Sequence, residues 1–161
     1  MLMPDVNILV YAHREDEVRH GSYAAWLHEL VDGPEPFSLS VLVAIGFVRI
    51  VTNPGIYADP TPLPIALAVV EQLAGHPRCR LASPPPSHLD GVIRLCRASS
   101  ATGKLVADAQ HAALAIGEGC TWVTRDADFK RFEPYGLRWQ HLVLESSRSG
   151  PSASRRSVPV R

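Results

Sequence analysis

Residues 104–132 read KLVADAQHAALAIGEGCTWVTRDADFKRF, and this stretch predicts the architecture of the whole chain. Its first half carries alanine, leucine and isoleucine at helical spacing, which predicts a helix over 104–118 that Gly119 stops. Thr121–Thr124 then joins threonine, tryptophan and valine in a run typical of a strand, and a short turn or helix follows from Asp126. A helix that leads through a glycine into a short strand is a repeating unit of parallel sheets.

The same alternation of short strands and helices runs through the remainder of the chain, without internal repeats. It predicts an α/β fold with a parallel sheet covered on both faces, in which ligands gather at the carboxyl ends of the strands. The remaining predicted strands are 1–4, 37–39, Cys79–Ala82 and a fifth candidate over 137–139, and the remaining helices are Val6–His13, 18–31, Val41–Val51, 64–75 and 87–98.

Charge is spread unevenly along the 161 residues, although the net charge is zero. Residues 146–161 carry four arginines and no acid, which leaves 12 basic against 16 acidic residues, a balance of −4, for 1–145. We therefore expect one domain over 1–145 and a disordered Ser/Arg/Pro tail over 146–161. Nucleic-acid binders usually have a basic body, so any grip on nucleic acid must come from local arginines.

Cysteine usage and hydropathy are typical of a cytoplasmic protein. Cys79, Cys96 and Cys120 are widely spaced and form no CxxC or Cys/His pattern, as expected for reduced thiols. The N-terminal apolar run is broken by Pro4 and Asp5, and no stretch approaches the roughly 20 apolar residues that span a bilayer. We expect a cytoplasmic protein that does not enter the membrane.

Four aspartates lie where an α/β domain gathers its strand ends: Asp5, Asp108, Asp126 and Asp128. Carboxylates brought together repel one another and raise each other's pKa unless a cation neutralises them. Hard divalent ions such as Mg²⁺ and Mn²⁺ prefer oxygen ligands and pair naturally with phosphate groups. The pattern therefore predicts a metal site that acts on a phosphodiester.

Each aspartate also has a simpler interpretation. Asp5 is well placed to cap the helix that follows it, and Asp126 with Asp128 can cap the turn after the fourth strand. Asp108 lies at the edge of its helix's buried face, where an acid is rarely found unless paired or metal-bound, although Lys104 could form a surface ion pair with it.

Four basic residues are candidate phosphate contacts, although such side chains are more often simply solvated. They are Arg49, Arg125, Lys130 and Arg131. The chain contains no HExxH, GxSxG, Walker A or GxGxxG motif, so zinc-hydrolase, serine-hydrolase, P-loop and Rossmann functions lack their signatures. A phosphoacceptor domain also collects aspartates at strand ends, but it needs an acidic pair behind the first strand, where Asp5 stands alone.

Four motifs together resemble the PIN-domain toxin ribonucleases of the VapC type: MPDVNILVYA, GFVRIVTNP, LVADAQHAALAI and WVTRDADFKRF. The resemblance covers about residues 1–140. It implies a three-layer α/β/α sandwich with a short, mostly parallel sheet, and RNA cleavage by a water activated by Mg²⁺, for which Mn²⁺ substitutes. It also implies a structured RNA substrate such as tRNA or rRNA, and a cognate antitoxin. Matched by position, Asp5, Asp108 and Asp126 are the catalytic acids, and Asp128 joins them as an accessory metal ligand.

The third helix departs from the family pattern. PIN domains commonly begin it with a glutamate, whereas no acid occurs here between Glu35 and Asp59. Either Glu35 or a water takes that place, or the site uses fewer acids. The alternative function is a catalytically weakened PIN domain that binds RNA or an antitoxin.

Two helices carry more apolar residues than a domain of this size needs to bury. They are the helix that contains residues 45–51 and the helix that contains Tyr23 and Trp26. We therefore expect a homodimer.

Overall fold

A computed structural model describes residues 1–145, and the prediction for 146–161 lies outside the described residues. The strands are β1 Leu2–Pro4, β2 Phe37–Ser40, β3 Cys79–Ala82, β4 Thr121–Thr124 and β5 Arg138–His141. The helices are α1 Val6–His13, α2 His20–Asp32, α3 Val41–Val51, α4 Leu63–Ala74, α5 His88–Ser99 and α6 Lys104–Gly117, and a 3₁₀ helix spans Ala127–Tyr135.

The five strands form one parallel sheet in the order β3-β2-β1-β4-β5. Leu2 of the central strand β1 pairs with Phe37 on one side and Thr121 on the other. Because β1 and β4 are neighbours and run in the same direction, the residues that follow Pro4 and Thr124 meet at one edge of the sheet. This topology brings Asp5, which follows β1, to the same edge as Asp126 and Asp128, which follow β4.

Both faces of the sheet are covered, which confirms the predicted α/β/α sandwich. Adjacent side chains of β4 point to opposite faces: Trp122 joins the larger core cluster and Val123 the smaller one. The larger cluster includes Phe47 of α3 and Ala112 of α6, and the smaller one is centred on Tyr23 of α2. In the part of the chain that the structure describes, no helix is long and apolar enough to cross a bilayer.

One residue of the predicted intersubunit surface differs from the structure. Tyr23 is wholly buried inside the domain, so it adds nothing to an intersubunit surface. Ile45 of α3, in contrast, is 63% exposed, so a homodimer formed through α3 stays a prediction.

Candidate active site

Asp5 lies at the carboxyl end of the central strand and is the helix cap that the sequence predicted. It follows β1, continues the sheet by donating its N–H to Val123 O at 2.8 Å, and caps α1 by accepting Val6 N–H on Oδ1 at 2.6 Å. Its other oxygen, Oδ2, accepts from Thr124 Oγ1 at 2.6 Å and from Asn7 Nδ2 at 2.8 Å. Three of the carboxylate's approximately four lone-pair sites are therefore filled, and one is left for a further partner.

Thr124 fixes the relative positions of the β1 and β4 ends. Its hydroxyl donates to Asp5 Oδ2 and accepts from Asn7 Nδ2 at 3.1 Å and from Asp126 N at 3.0 Å. Thr124 is wholly buried, so this hydroxyl uses its hydrogen-bonding capacity inside the protein. Asn7 and Thr124 therefore both orient the Asp5 carboxylate.

Asp108 lies one turn into α6 and is only 8% exposed. Its Oδ2 atom is buried and has no hydrogen-bond partner among the described residues. The surface ion pair with Lys104 that would have explained Asp108 does not form, so that interpretation is wrong. A buried carboxylate oxygen without a donor is costly, and a cation would remove that cost.

Lys104 instead binds the two aspartates that follow β4. Its Nζ lies 2.6 Å from Asp126 Oδ2 and 3.6 Å from Asp128 Oδ2. Asp126 also caps the 3₁₀ helix, since its Oδ1 accepts the Asp128 N–H at 2.9 Å. Sequence reasoning missed this role of Lys104, although its place one turn before Asp108 puts it on the same side of the helix.

The pKa shifts of the aspartates show that they share one electrostatic environment. Burial raises the pKa of Asp5 to about 6, and the nearby charges of Asp108 and Asp126 add to the shift. Burial also raises the pKa of Asp108, which Lys104 opposes and Asp126 and Asp128 reinforce. The pKa of Asp126 is lowered, because its hydrogen bond from Lys104 and that from the Asp128 N–H outweigh the effect of partial burial.

The side chains fit a divalent ion in chemistry, although they are not arranged around one. Within residues 1–145, no three Asp, Glu, His or Cys side chains converge as an ion-binding group. The Asp126 carboxylate is bound to Lys104. The donors available are all carboxylate oxygens, and both Asp108 Oδ2 and one site on Asp5 remain open. Such a set suits Mg²⁺ or Mn²⁺.

The model of the PIN domain family matches residues 2–133, which cover the β1, α6 and β4 segments of this site. The chain belongs to the PIN-domain family. Ribonuclease VapC31 of Mycobacterium tuberculosis is 37% identical to this PIN domain over 132 residues, which are 82% of this chain and 93% of the relative. VapC ribonuclease Mb2897 of Mycobacterium bovis is 38% identical over 141 residues, 88% of this chain and 95% of the relative.

Solved structures of VapC and VapBC proteins share the fold. VapC20 of Mycobacterium tuberculosis, described as a Sarcin-Ricin loop cleaving toxin, superposes with a TM-score of 0.62 at 14% identity and covers 88% of this chain and 98% of its own. VapBC2 of Rickettsia felis, bound to a DNA fragment from its promoter, superposes with a TM-score of 0.61 at 20% identity and covers 86% and 96%.

At the start of α3 this PIN domain has a serine cap rather than an acid. Ser40 Oγ accepts the N–H groups of Leu42 at 3.1 Å and Val43 at 3.4 Å. Glu35 precedes β2 and therefore lies at the amino edge of the parallel sheet, opposite the aspartates, where it lines a groove with Met1. Of the alternatives for the missing glutamate, the position of Glu35 excludes Glu35 and leaves a water or a site with fewer acids.

The four candidate phosphate contacts are in different environments. Arg49, Lys130 and Arg131 are exposed, and none forms an ion pair with a described residue. Arg125 is half-buried and lies between Thr124 and Asp126, at the acidic site itself. The structure thus singles out Arg125 from the set.

Proposed function

We propose that this protein is a divalent-metal-dependent endoribonuclease and the toxin of a toxin–antitoxin pair. The observation that carries the proposal is the buried, unpartnered oxygen of Asp108 beside two further carboxylates of the same site, Asp5 and Asp126. In a PIN domain whose relatives are named VapC ribonucleases, a cation is the partner that the Asp108 oxygen lacks.

Asp5, Asp108 and Asp126 would hold the ion, with Asp128 as an accessory ligand. A bound Mg²⁺ or Mn²⁺ supplies an activated water and offsets charge on the leaving oxygen. Asp5 is fixed for this role by its three hydrogen bonds, and Asp126 is fixed by the Asp128 N–H. As a ligand, Asp126 would no longer bind Lys104, and the Lys104 ammonium would then be available to a phosphate oxygen.

The substrate we propose is structured RNA, such as tRNA or rRNA. The related structure of VapC20 carries the description of a Sarcin-Ricin loop cleaving toxin, and the −4 charge of residues 1–145 argues against indiscriminate binding to nucleic acid. Such a substrate would place the enzyme in the cytoplasm.

The proposed protein partner is an antitoxin that inhibits the site directly. Related PIN proteins have been solved as VapBC toxin–antitoxin complexes. The bond between Lys104 and Asp126 is an internal example of how a basic side chain binds in this acidic site. An antitoxin Arg or Lys that reaches Asp5 or Asp108 would add a second cation where the metal is needed.

The direct test is an RNase assay on purified protein freed of antitoxin. Cleavage of total RNA should require Mg²⁺ or Mn²⁺, stop in EDTA and return when the ion is restored. Undiminished cleavage in EDTA would contradict the metal mechanism. RNA binding without cleavage at any metal concentration would instead support the weakened binding module that the missing α3 glutamate allows.

A further inference from the structure

Arg125 is held rigidly at the edge of the active site by its backbone. Its N–H donates to Asn7 Oδ1 at 3.3 Å, and its carbonyl accepts from His141 Nε2 at 2.9 Å. Asn7 also donates to Asp5, so the same side chain positions both a proposed metal ligand and Arg125. The start of the Arg125 side chain is therefore fixed relative to the reacting centre.

Two tyrosines support the guanidinium group. The Arg125 Cζ atom lies 4.9 Å from the ring centroid of Tyr11 and 5.8 Å from that of Tyr23, within the range of cation–π attraction. Tyr23 is itself clamped, because its hydroxyl donates to Leu142 O at 3.0 Å and accepts from Leu144 N at 3.3 Å. The side chain is thus directed toward α1 and α2.

The positive charge of Arg125 has no acceptor in the part of the chain that the structure describes. Among residues 1–145 its side chain makes no hydrogen bond and no ion pair, and its Nε is buried without a partner. The nearest acids along the chain, Asp126 and Asp128, are bound by Lys104. The two Nη groups also lack a hydrogen-bond partner but are not buried, so an external anion can reach these charged donors.

Arg14 shows what is missing at Arg125. Its guanidinium also stacks on a tyrosine, 4.1 Å from the ring centroid of Tyr57. Unlike Arg125, it is satisfied by a two-oxygen anion: Nε donates to Asp16 Oδ1 at 2.8 Å and Nη2 to Oδ2 at 2.6 Å. Arg125 has the aromatic support without the carboxylate, and a phosphate presents the same pair of oxygens.

We propose that Arg125 binds a backbone phosphate of the RNA next to the scissile one. This inference rests on the proposed ribonuclease function, and it makes Arg125 a substrate-positioning residue that sets the register of the strand on the site. The scissile phosphate belongs over the aspartates, whereas Arg125 points to the α1 and α2 side, where the flanking nucleotide would lie. Phosphate contacts of this kind position the strand and carry no sequence information.

The test measures binding of a fluorescently labelled RNA hairpin in EDTA, where cleavage is absent, over a series of salt concentrations. Arg125→Ala should weaken binding about tenfold at low salt and reduce the slope of log affinity against log salt by about 0.7–0.9. Arg125→Lys keeps the charge but loses the forked guanidinium group, so its RNA affinity should lie between those of the wild type and Arg125→Ala. Arg80→Ala, an exposed arginine on the distant edge strand β3, is the matched control and should bind within about twofold of wild type.

The outcomes separate this inference from the function on which it rests. Equal affinity and equal salt slope in Arg125→Ala and Arg80→Ala, with the wild type binding RNA, would overturn the role of Arg125 alone. A wild type that neither binds nor cleaves RNA would overturn the proposed function and the inference with it. If Arg125→Ala does not fold, the Arg125→Lys result decides, because full wild-type affinity there would rule out the fork.

Discussion

Capping a helix and binding a cation make compatible demands on Asp5. The cap uses Oδ1, and the hydrogen bonds from Thr124 and Asn7 use Oδ2, so the carboxylate is oriented before any ion arrives. Burial destabilises the charged form of this carboxylate and raises the pKa of Asp5 to about 6. The metal-free protein should therefore be strained electrostatically at neutral pH.

Asp5→Asn should reveal that strain as a change in the pH dependence of stability. Because the folded pKa of about 6 lies above the ordinary value of 3.8, the folded state holds an extra proton between these values. Stability of the metal-free wild type should fall as the pH rises from about 4 to about 6, and Asp108 should add to the fall. The variant should gain about 2 kcal/mol on the wild type between pH 4 and pH 7.

Urea unfolding in EDTA across this pH range measures the difference. Asp32→Asn, at an exposed site on α2, is the control and should leave the pH profile parallel to that of the wild type. A parallel profile for Asp5→Asn as well would show that the folded protein does not raise the pKa of Asp5.

At the scale of the helices, α6 carries both an unsatisfied acid and a competing cation. Asp108 lies on its buried side, and Lys104, its first residue, reaches across to the β4 end. The exposed Lys104–Asp126 pair is a weak interaction, worth less than about 1 kcal/mol. A divalent ion should displace Lys104 from Asp126, and this competition should lower the affinity of the site for the ion.

Lys104→Gln should therefore tighten Mn²⁺ binding, because the ion no longer competes with an ammonium group. The expected gain is roughly five- to tenfold, the effect of one unit charge a few ångströms from a divalent ion in water. Isothermal titration calorimetry measures it, with Lys130→Gln, an exposed lysine on the 3₁₀ helix, as the control. Unchanged or weaker Mn²⁺ binding in Lys104→Gln would mean that Lys104 does not block the site.

The elements that local chemistry determines could be predicted closely from the sequence. The helices α1 and α3 begin at the predicted residues because Asp5 and Ser40 cap them, and the predicted bounds of β3 and β4 match the structure. The Glu35 alternative could have been excluded from the sequence, since a residue that precedes a parallel strand lies at the edge opposite the site. The contact of Lys104 with Asp126 was not predictable, because it depends on how α6 packs against the end of β4.

The charge of the whole molecule is divided between the acidic residues 1–145 and the basic residues 146–161. We propose that these residues are dispensable for folding and contribute affinity for RNA through their four arginines. Deleting 146–161 should leave the melting temperature within a few degrees of wild type, and it should weaken hairpin binding mainly at low salt. An unfolded or insoluble 1–145 protein would show that the domain extends beyond residue 145.

Ile45 is an exposed apolar residue on the mainly apolar helix α3, which supports the proposal of a homodimer. Light scattering at micromolar concentration should give a dimer for the wild type and a monomer for Ile45→Glu, since burying the new charge opposes association. Leu89→Glu, at an equally exposed position on α5, should remain dimeric. A monomeric wild type would contradict the proposal.

The proposed role of Asp108 as a ligand of a catalytic metal ion is tested by comparing the wild type with Asp108→Asn. Wild type and Asp108→Asn are melted in EDTA and in Mn²⁺, and RNA cleavage is measured on the same samples. Asp108→Asn removes repulsion among the carboxylates, so it should melt at or above the wild-type temperature in EDTA and gain less from Mn²⁺. Its cleavage should fall to background. Full RNase activity in Asp108→Asn, with the same gain in melting temperature from Mn²⁺ as the wild type, would contradict the account.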